Sequence, residues 1–344
     1  MSKLVQQVQF GNTGIKVSPL IVGCMSYGSK TWAEWVEDDK EKVFQILKHC
    51  YDIGFRTFDT ADVYSNGKSE RLLGEFLRKF NIRRETVVIL TKTNFPVDET
   101  LVLPIGDANR SENDTLDLVN QQGLSRKHIL QSVKNSVERL GTYIDVLQIH
   151  RFDPNTPIKE TMKALNDVVE KGDVRYIGAS SMLPTQFVEM QGVADKYDWF
   201  QFVNVQSQYN LLYREDERDL MKYCKKHNIA LTPWSPNYQG LLTRPVGVES
   251  VRSTKDKFIN AWDLKKFDPA QKAIIDRVEE LSKKKGVPMA AISTAWVLAK
   301  GCYPIVGMSS IKRVDEAKEA LDVKFTEEEL AYLEEPYKPR NFMY

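Results

Sequence analysis

Four side chains suited to proton transfer stand at the ends of apolar runs in this sequence. The stretch FDTADVY supplies Asp59 and Tyr64, the run TVVILTKT reaches Lys92, and the run IDVLQIH ends at His150. A buried carboxylate is costly unless it is paired, and we expect Asp59 to pair with Lys92. A charged Lys92 beside Tyr64 would then stabilise the phenolate and lower the pKa of the phenol from about 10.

The chemistry that these groups suggest is the reduction of a carbonyl or the reverse oxidation. Tyr64 would give or take the proton, and His150 would donate a hydrogen bond to the substrate oxygen. None of the four can supply a hydride, so the sequence implies a nicotinamide cofactor. Each residue alone has a commoner explanation, such as a core histidine or a lysine that reaches solvent. Asp62, in the same stretch, is predicted to serve the turn or the next helix start.

These side chains need elements that bring strand ends together. Short apolar runs, typical of strands buried on both faces, alternate along the chain with amphipathic helical patterns. The predicted strands are 20–24, 56–60, 86–91, 144–149, 174–179, 202–205, 229–233 and 303–306. Eight strands with helices between them predict an α/β fold, a (β/α)8 TIM barrel that spans 1–344 as a single domain. A doubly wound open sheet is the competing arrangement.

Capping residues mark several helix boundaries. Ser125 is predicted to cap a helix that ends at Gly141, and Asp268–Pro269–Ala270–Gln271 predicts a capping box. Two long segments, 94–123 and 241–267, contain no predicted element. Both follow strands, so we expect long loops at the carboxyl face of the barrel, where such folds keep their active sites.

Composition excludes several classes of function. The chain has 344 residues, 42% of them hydrophobic, and a formal net charge of +1, which gives no electrostatic basis for nucleic acid or anionic membrane partners. No apolar run is as long as a membrane span, and the first residues lack a secretory signal, so a cytoplasmic protein is expected. The four cysteines form no CxxC and are interpreted as reduced packing residues, and the four histidines form no HxH or HExxH, so no metal site is predicted. GxGxxG and GxxxxGK[ST] are also lacking.

The sequence resembles the aldo-keto reductase family over nearly its whole length. FDTADVYSNGKSERLLG is similar to the family signature, and later blocks follow in family order: VERLGTYIDVLQIHRFDP, VRYIGASS, VQSQYNLLYRE, WSPNYQGLLTR and PIVGMSSIKRVDEA. Aryl-alcohol dehydrogenases and potassium-channel β-subunits form the subgroup that it resembles. The resemblance implies a barrel with an N-terminal β-hairpin that binds NADPH without a Rossmann fold. It also implies a catalytic tetrad of Asp59, Tyr64, Lys92 and His150, with Tyr64 as the general acid.

The resemblance implies a set of residues that bind NADPH or NADP+. Ser180, Ser181 and Gln206 match positions that hold the nicotinamide carboxamide, and Trp234 matches the aromatic that stacks on the ring. Arg313 could form a fork of hydrogen bonds to a 2′-phosphate at a predicted helix start. The full predicted cofactor set is Gly23, Met25, Asp59, Ser180, Ser181, Gln206, Trp234, Ser235, Asn237, Gly240, Leu241, Gly307, Ser309, Arg313 and Glu316.

The predicted substrate contacts are Tyr27, Trp32, Tyr64 and His150. Further walls are expected from the segment 94–123 and from the C-terminal Phe342, Met343 and Tyr344, and these aromatic residues indicate an apolar or aryl carbonyl. Two other functions stay open on the sequence alone. One is a regulatory protein that keeps barrel and cofactor, as channel β-subunits do. The other is an isomerase or lyase that needs no cofactor.

Overall fold

A closed barrel of eight parallel strands forms the centre of the protein. The computed structural model describes residues 4–106, 110–257, 259 and 264–342. A short antiparallel hairpin of β1 (Val8–Gln9) and β2 (Lys16–Val17) precedes the barrel. The barrel strands are β3 (Ile21–Gly23), β4 (Thr57–Asp59), β5 (Val88–Thr93), β6 (Ile144–Ile149), β7 (Val174–Ser180), β8 (Phe202–Gln206), β9 (Ala230–Leu231) and β10 (Ile305–Gly307).

The hydrogen bonds between strands close the sheet on itself. The strands are paired in the order β10-β3-β4-β5-β6-β7-β8-β9, and every pair is parallel. The first and last strands of this order, β10 and β9, are also joined. The Tyr303 N–H donates to the Leu231 carbonyl at 2.8 Å, and the Ile305 N–H donates to the Pro233 carbonyl at 2.9 Å. The predicted barrel with its N-terminal hairpin is therefore confirmed, and the doubly wound open sheet is excluded.

All eight predicted strands are present, with differences at their ends. β9 is shorter than the predicted 229–233 because Pro233 has no N–H to add to the ladder. β5 extends past the predicted end to Thr93, so that Lys92 lies within the strand. The carboxyl-terminal ends of β4, β5 and β6 are neighbours, because these strands pair directly.

Helices surround the barrel and bury their apolar stripes against it. Those in the described residues are α1 (Lys40–Asp52), α2 (Lys68–Lys79), α3 (Glu112–Leu118), α4 (Arg126–Leu140), α5 (Ile158–Glu170), α6 (Pro184–Lys196), α7 (Leu220–Lys226), α8 (Val251–Lys255), α9 (Pro269–Lys285), α10 (Met289–Ala299), α11 (Ile311–Glu319) and α12 (Glu327–Glu334). Val43 and Leu47 of α1 join Phe58 of β4 and Phe76 of α2 in the main core. Within the described ranges, each helix is too short or too polar to cross a lipid bilayer.

The predicted helix caps are confirmed. The Ser125 hydroxyl accepts a hydrogen bond from the His128 N–H at 3.2 Å, and Gly141 ends the same helix with a φ of 69°. The capping box at the start of α9 is complete, since Asp268 and Gln271 each accept from the other's backbone N–H. The free thiols Cys24, Cys50, Cys224 and Cys302 are all buried, as predicted.

The two long segments predicted to lack elements each contain a short helix. α3 lies within 94–123 and is capped by Ser111, whose hydroxyl accepts from the Asp114 N–H at 3.0 Å. α8 lies within 241–267, and a 3₁₀ segment spans Tyr238–Thr243. Such short polar helices carry no long apolar stripe, which is why hydrophobic periodicity misses them. Residues 107–109, 258 and 260–263 of these segments lie outside the described residues.

Candidate active site

The four predicted catalytic residues meet at one end of the barrel. Asp59 ends β4, Tyr64 lies in the loop that follows it, Lys92 lies near the end of β5, and His150 directly follows β6. The Lys92 Nζ is 2.6 Å from the Asp59 Oδ1 and 3.3 Å from the Tyr64 hydroxyl. The rings of Tyr64 and His150 lie edge to face, with 5.8 Å between their centroids. A carboxylate, an ammonium, a phenol and an imidazole thus form one continuous cluster.

A layer of amides inside the barrel holds the carboxylate of Asp59. Its Oδ2 accepts from the Gln206 Nε2 at 2.9 Å and from the Gln148 Nε2 at 3.2 Å. Gln148 also accepts from Asn204 at 2.9 Å, and Asn204 donates to the Thr232 hydroxyl at 2.8 Å. Both oxygens of Asp59 are therefore hydrogen-bonded, and the carboxylate is fixed in its contact with Lys92.

Lys92 is kept charged although it is buried. Burial disfavours its ammonium, but the charge of Asp59 and the oxygen of Tyr64 outweigh burial and raise the pKa of Lys92. The Lys92 Nζ also donates to the Thr60 carbonyl at 2.7 Å. Three oxygen atoms therefore accept from the three N–H groups that a lysine ammonium offers.

The pKa of Tyr64 differs from the prediction in its net direction. Lys92 lowers the pKa, as expected, but desolvation by burial is the larger effect and Asp59 adds to it, so the pKa of Tyr64 is raised. The prediction that the phenol is made more acidic than a free tyrosine is wrong for this structure. The phenol is protonated near neutral pH, which is the state that a proton donor to a carbonyl oxygen requires.

His150 is a neutral imidazole. Burial, followed by the positive charges of Arg151 and Lys92, lowers its pKa well below the usual value. Its Nδ1 has no hydrogen-bond partner among the described residues, although the ring is only 8% exposed. A neutral imidazole can donate one hydrogen bond without competing as an acid with the neighbouring phenol.

Aromatic side chains surround this cluster. The ring of Trp32 lies 6.1 Å from that of Tyr64, and the ring of Phe95 lies 5.0 Å from that of His150. Met25 packs against the same group. Trp32 is held by a 2.9 Å hydrogen bond from the Ile105 N–H to its carbonyl, which joins the loop after β3 to the segment after β5.

Tyr27 and the C-terminal residues were predicted to contact the substrate. Tyr27 has almost no exposed surface, and two of the three C-terminal residues lie outside the described residues. Tyr27 is 1% exposed, and its hydroxyl donates to the Met308 carbonyl, so its ring offers almost no surface to a substrate. Phe342 is exposed on the C-terminal tail, whereas Met343 and Tyr344 lie outside the described residues.

The residues predicted to hold a nicotinamide lie on adjacent strand ends. The Ser180 hydroxyl donates to the Gln206 carbonyl at 2.8 Å, and the Trp234 Nε1 donates to the Ser181 hydroxyl at 3.0 Å. Ser181 has a φ of 41°, which turns the chain at the end of β7. Gln206 uses its amide nitrogen to hold Asp59, so these groups adjoin the four-residue cluster.

The segment predicted for a pyrophosphate has an unusual backbone. Ser235, Tyr238, Gln239 and Gly240 all have a positive φ, and Leu241 follows them in the 3₁₀ segment. The N–H groups of Tyr238, Gln239 and Gly240 donate within the loop, to the Ser235 carbonyl, the Ser235 hydroxyl and the Asn237 carbonyl, so these turns fix the shape of the segment. The side chain of Asn237 is bound to Ser293 and Thr294 of α10, so it fixes the loop to the barrel wall.

The end of β10 and the start of α11 carry the other predicted cofactor residues. Gly307 is exposed at the strand end, and Gly23 pairs with it on β3. Ser309 is half-buried, Arg313 is exposed in the first turn of α11, and Glu316 forms an ion pair with Lys312 at 3.7 Å.

A second guanidinium, missed by sequence reasoning, lies close to Arg313. Burial and the charge of Arg313 lower the pKa of Arg244, which follows the 3₁₀ segment. Within the described part of the chain, neither arginine forms an ion pair with a carboxylate: Arg244 donates to the Thr243 hydroxyl at 3.2 Å, and the nearby Glu316 pairs with Lys312. Two neighbouring cations without a protein anion fit a phosphate group.

Asp62 lies in the turn after β4 but does not start the next helix. It is 1% exposed, and its Oδ2 accepts from the Ser132 hydroxyl of α4 at 2.9 Å. The N-cap of α2 is Gly67, which has no side-chain capping bond. The alternative that Asp62 starts the next helix is therefore wrong, and its carboxylate instead binds both the Val63 backbone of the turn and Ser132 of a distant helix.

Comparison with known proteins identifies the family. The sequence profile of the Aldo/keto reductase family matches residues 19–338. The chain belongs to the aldo/keto reductase family. It is 62% identical over 337 residues to "Putative aryl-alcohol dehydrogenase AAD16" of Saccharomyces cerevisiae, covering 98% of both chains. It is also 48% identical over 340 residues to the versiconal hemiacetal acetate reductase of Aspergillus parasiticus, again covering 98% of both chains.

A further relative supports the same subgroup. The chain is 53% identical over 335 residues to "Putative aryl-alcohol dehydrogenase C977.14c" of Schizosaccharomyces pombe. The match covers 96% of this chain and 95% of that protein. Aldo-keto reductases are oxidoreductases that generally use NADH or NADPH, so this chain is an oxidoreductase with a small-molecule substrate. The neighbouring guanidinium groups of Arg244 and Arg313 fit a phosphate of such a cofactor.

Proposed function

We propose that this protein reduces aldehydes or ketones to alcohols with NADPH, or catalyses the reverse oxidation. The observation that carries the proposal is the continuous contact from Asp59 through Lys92 to the hydroxyl of Tyr64, beside the neutral ring of His150. This arrangement provides a protonated donor and an oxygen-orienting group at one point of the barrel mouth.

Each residue has a distinct part in the proposed reaction. His150 donates a hydrogen bond to the carbonyl oxygen and directs it towards Tyr64. The phenol of Tyr64 gives its proton to this oxygen as negative charge develops there, and Lys92 stabilises the phenolate that remains. Asp59 keeps Lys92 charged and in place. A nicotinamide cofactor held beside these residues would supply the hydride to the carbonyl carbon.

The proposed preference for NADPH rests on the two arginines. The 2′-phosphate distinguishes NADPH from NADH, and a guanidinium can form two parallel hydrogen bonds to it. Arg313 stands at the start of α11, and Arg244 directly follows the 3₁₀ segment, close enough for the charge of Arg313 to lower the pKa of Arg244. A phosphate between them would relieve their mutual repulsion.

The proposed substrate is an apolar or aryl carbonyl compound. Trp32 and Phe95 place aromatic rings on either side of the Tyr64 and His150 pair. Planar substrates can stack in such a site, since aromatic pairs favour centroid distances of about 4.5–7 Å. The names of the relatives from Saccharomyces cerevisiae and Schizosaccharomyces pombe agree with this class.

The test is steady-state oxidation of NADPH with a panel of aryl and alkyl aldehydes, using the wild type and Tyr64→Phe. We expect the wild type to turn over, with aryl aldehydes giving the higher kcat/KM. Tyr64→Phe keeps the ring and loses only the proton donor, so kcat should fall by about 10²–10⁴ while the Kd for NADPH stays within about twofold. Cofactor binding without turnover in the wild type would instead indicate a regulatory protein. Lack of nicotinamide binding would indicate an isomerase or lyase.

A further inference from the structure

A second cavity lies apart from the residues described above. It has a volume of ≈ 360 Å³ and lies between α4 and the end of α3 with the chain that follows it. We name it the α4 cavity. None of the predicted catalytic or cofactor residues lines it. Its apolar lining comes from Val97, Leu116 and Val119, and its polar lining includes Gln131, Asn135 and Asp62.

Asp62 is the most deeply buried of the buried lining residues Asp62, His128, Ser132 and Arg139, and its carboxylate is only partly satisfied. Its Oδ2 accepts from the Ser132 hydroxyl at 2.9 Å, but its Oδ1 has no hydrogen-bond partner among the described residues. The side chain is 1% exposed. Burial, with the charge of Glu70, raises the pKa of Asp62 to about 7, although Arg139 opposes this. A buried oxygen without a partner is rare in folded proteins and costly to maintain.

The charges around Asp62 leave one negative group without a cation of its own. The Arg139 Nε is 2.6 Å from the Glu70 Oε2, and these two side chains are 5% and 0% exposed. Glu99 lies 3.5 Å from Arg139 and 2.6 Å from Arg71, so it has a cation of its own. The guanidinium is therefore already paired, and Asp62 adds a further buried acid.

The remaining titratable groups of the cavity do not supply Asp62 with a cation. His128 is neutral, because burial lowers its pKa, and its Nδ1–H donates to the Gly123 carbonyl at 2.7 Å. Lys127 is exposed on the solvent side of α4, and the exposed Asp117 adds another acid on the facing chain. Arg139 also lines the cavity but is paired with Glu70, so the charge that an ionised Asp62 carries is the one that a bound cation would balance.

We propose that the α4 cavity binds a small organic ammonium ion, which donates to the Oδ1 of Asp62 and packs its carbon skeleton against Val97, Leu116 and Val119. The cation would satisfy the unpaired oxygen and balance the buried acid. Val119 is 54% exposed and Leu116 is 70% exposed, so the cavity presents apolar surface that a hydrocarbon skeleton can cover. Gln131 and Asn135 offer amide oxygens to the remaining N–H groups.

The test is calorimetric titration of the full chain with cyclohexylammonium chloride and, in parallel, with cyclohexanol. The two probes share a ring and differ in charge, so at about pH 8, where Asp62 is ionised, the ammonium should bind at least about tenfold more tightly. Asp62→Asn keeps the shape of the side chain and removes its charge. It should weaken ammonium binding by about tenfold or more.

A second variant and two controls separate this cavity from other sites. Asn135→Phe fills the cavity without changing Asp62 and should also weaken binding about tenfold. Asp117→Asn removes an exposed acid, and Tyr64→Phe alters the other site, so both should stay within about threefold of the wild type. Equal affinity for the two probes, no binding up to about 20 mM ammonium, or retained binding in either Asp62→Asn or Asn135→Phe would overturn the proposal.

Discussion

At the scale of single residues, the site depends on Lys92, which donates hydrogen bonds to both the carboxylate of Asp59 and the phenol of Tyr64. Lys92 contacts both Asp59 and Tyr64 and opposes the effect of burial on the phenol. Because burial is the larger effect, the phenol holds its proton near neutrality. Carbonyl reduction needs this proton, whereas alcohol oxidation needs the phenolate, so the two directions should depend differently on pH.

We expect Lys92→Met to slow both directions and to shift the pH dependence of alcohol oxidation. Without the ammonium, the phenolate loses its stabilising charge, so the pH at which oxidation reaches half its maximum should rise. Lys92→Arg keeps a cation and should restore part of the shift. The measurement is kcat against pH with NADP+ and an aryl alcohol. An unchanged profile in Lys92→Met would contradict the role given to this residue.

A second residue-scale prediction concerns the cofactor. Arg313→Ala removes one of the two guanidinium groups proposed to bind the 2′-phosphate. We expect kcat/KM for NADPH to fall about 10–100-fold, while kcat/KM for NADH changes by less than about threefold. Lys312→Ala, next to it on α11 and also exposed, is the matched control and should leave the ratio unchanged. Equal use of both cofactors by the wild type would refute the proposed preference.

At the scale of elements, the amide side chains that hold Asp59 fit inside the barrel because the strands β7 and β8 lie very close together. A Cβ on Gly178 of β7 would lie 1.9 Å from the Asn204 Oδ1 of β8. Asn204 cannot easily move aside, because its Nδ2 donates to both Gln148 and Thr232. Glycine at this position therefore permits the amide network that positions the carboxylate.

We expect Gly178→Ala to destabilise the protein by about 1–3 kcal/mol, because the added methyl group overpacks the barrel interior. The matched control is Gly192→Ala in α6, where an added Cβ meets no atom within 4 Å. That change should be neutral or stabilising by up to about 1 kcal/mol, since alanine favours a helix more than glycine does. Urea unfolding of both variants measures the difference. Equal stability of the two variants would show that β7 and β8 can move apart enough to accommodate the added methyl group without a cost in free energy.

At the scale of the whole molecule, one buried acid links folding to pH. Folded Asp62 keeps its proton up to about pH 7, whereas an aspartic acid in an unfolded chain loses it near about pH 4. Between these values the folded state binds the additional proton, so the free energy of unfolding falls as the pH rises. The contribution of Asp62 to stability is fully present below about pH 4 and is lost by about pH 7.

We therefore expect Asp62→Asn to gain stability relative to the wild type as the pH increases. The difference in unfolding free energy between the two proteins should grow by a few kcal/mol from about pH 5 to about pH 8, and little above that. Urea midpoints at several pH values give this difference, with Asp117→Asn as the exposed control. A difference that does not change with pH would show that Asp62 is ionised throughout.

The sequence by itself determined the strands, their order and the four polar residues at their ends. Alternating apolar runs and caps such as Ser125 are local signals, and they predict elements without knowledge of the partners. Residues two apart on a strand share a face, so Gln148 could have been found from its spacing to His150. The helices α3 and α8 were missed because short polar segments carry little periodic signal.

Only the tertiary structure decided which groups meet and with what net effect. Three features depend on residues that are far apart in the chain. They are the hydrogen bond from Ser132 to Asp62, the closeness of Arg244 to Arg313, and the burial of Tyr64. Burial and Coulomb interactions depend on distance through space, and sequence spacing does not report that distance once the chain has closed into a barrel. This is why the meeting of Asp59, Tyr64, Lys92 and His150 at one end of the barrel could be predicted, whereas the raised pKa of Tyr64 and the α4 cavity could not.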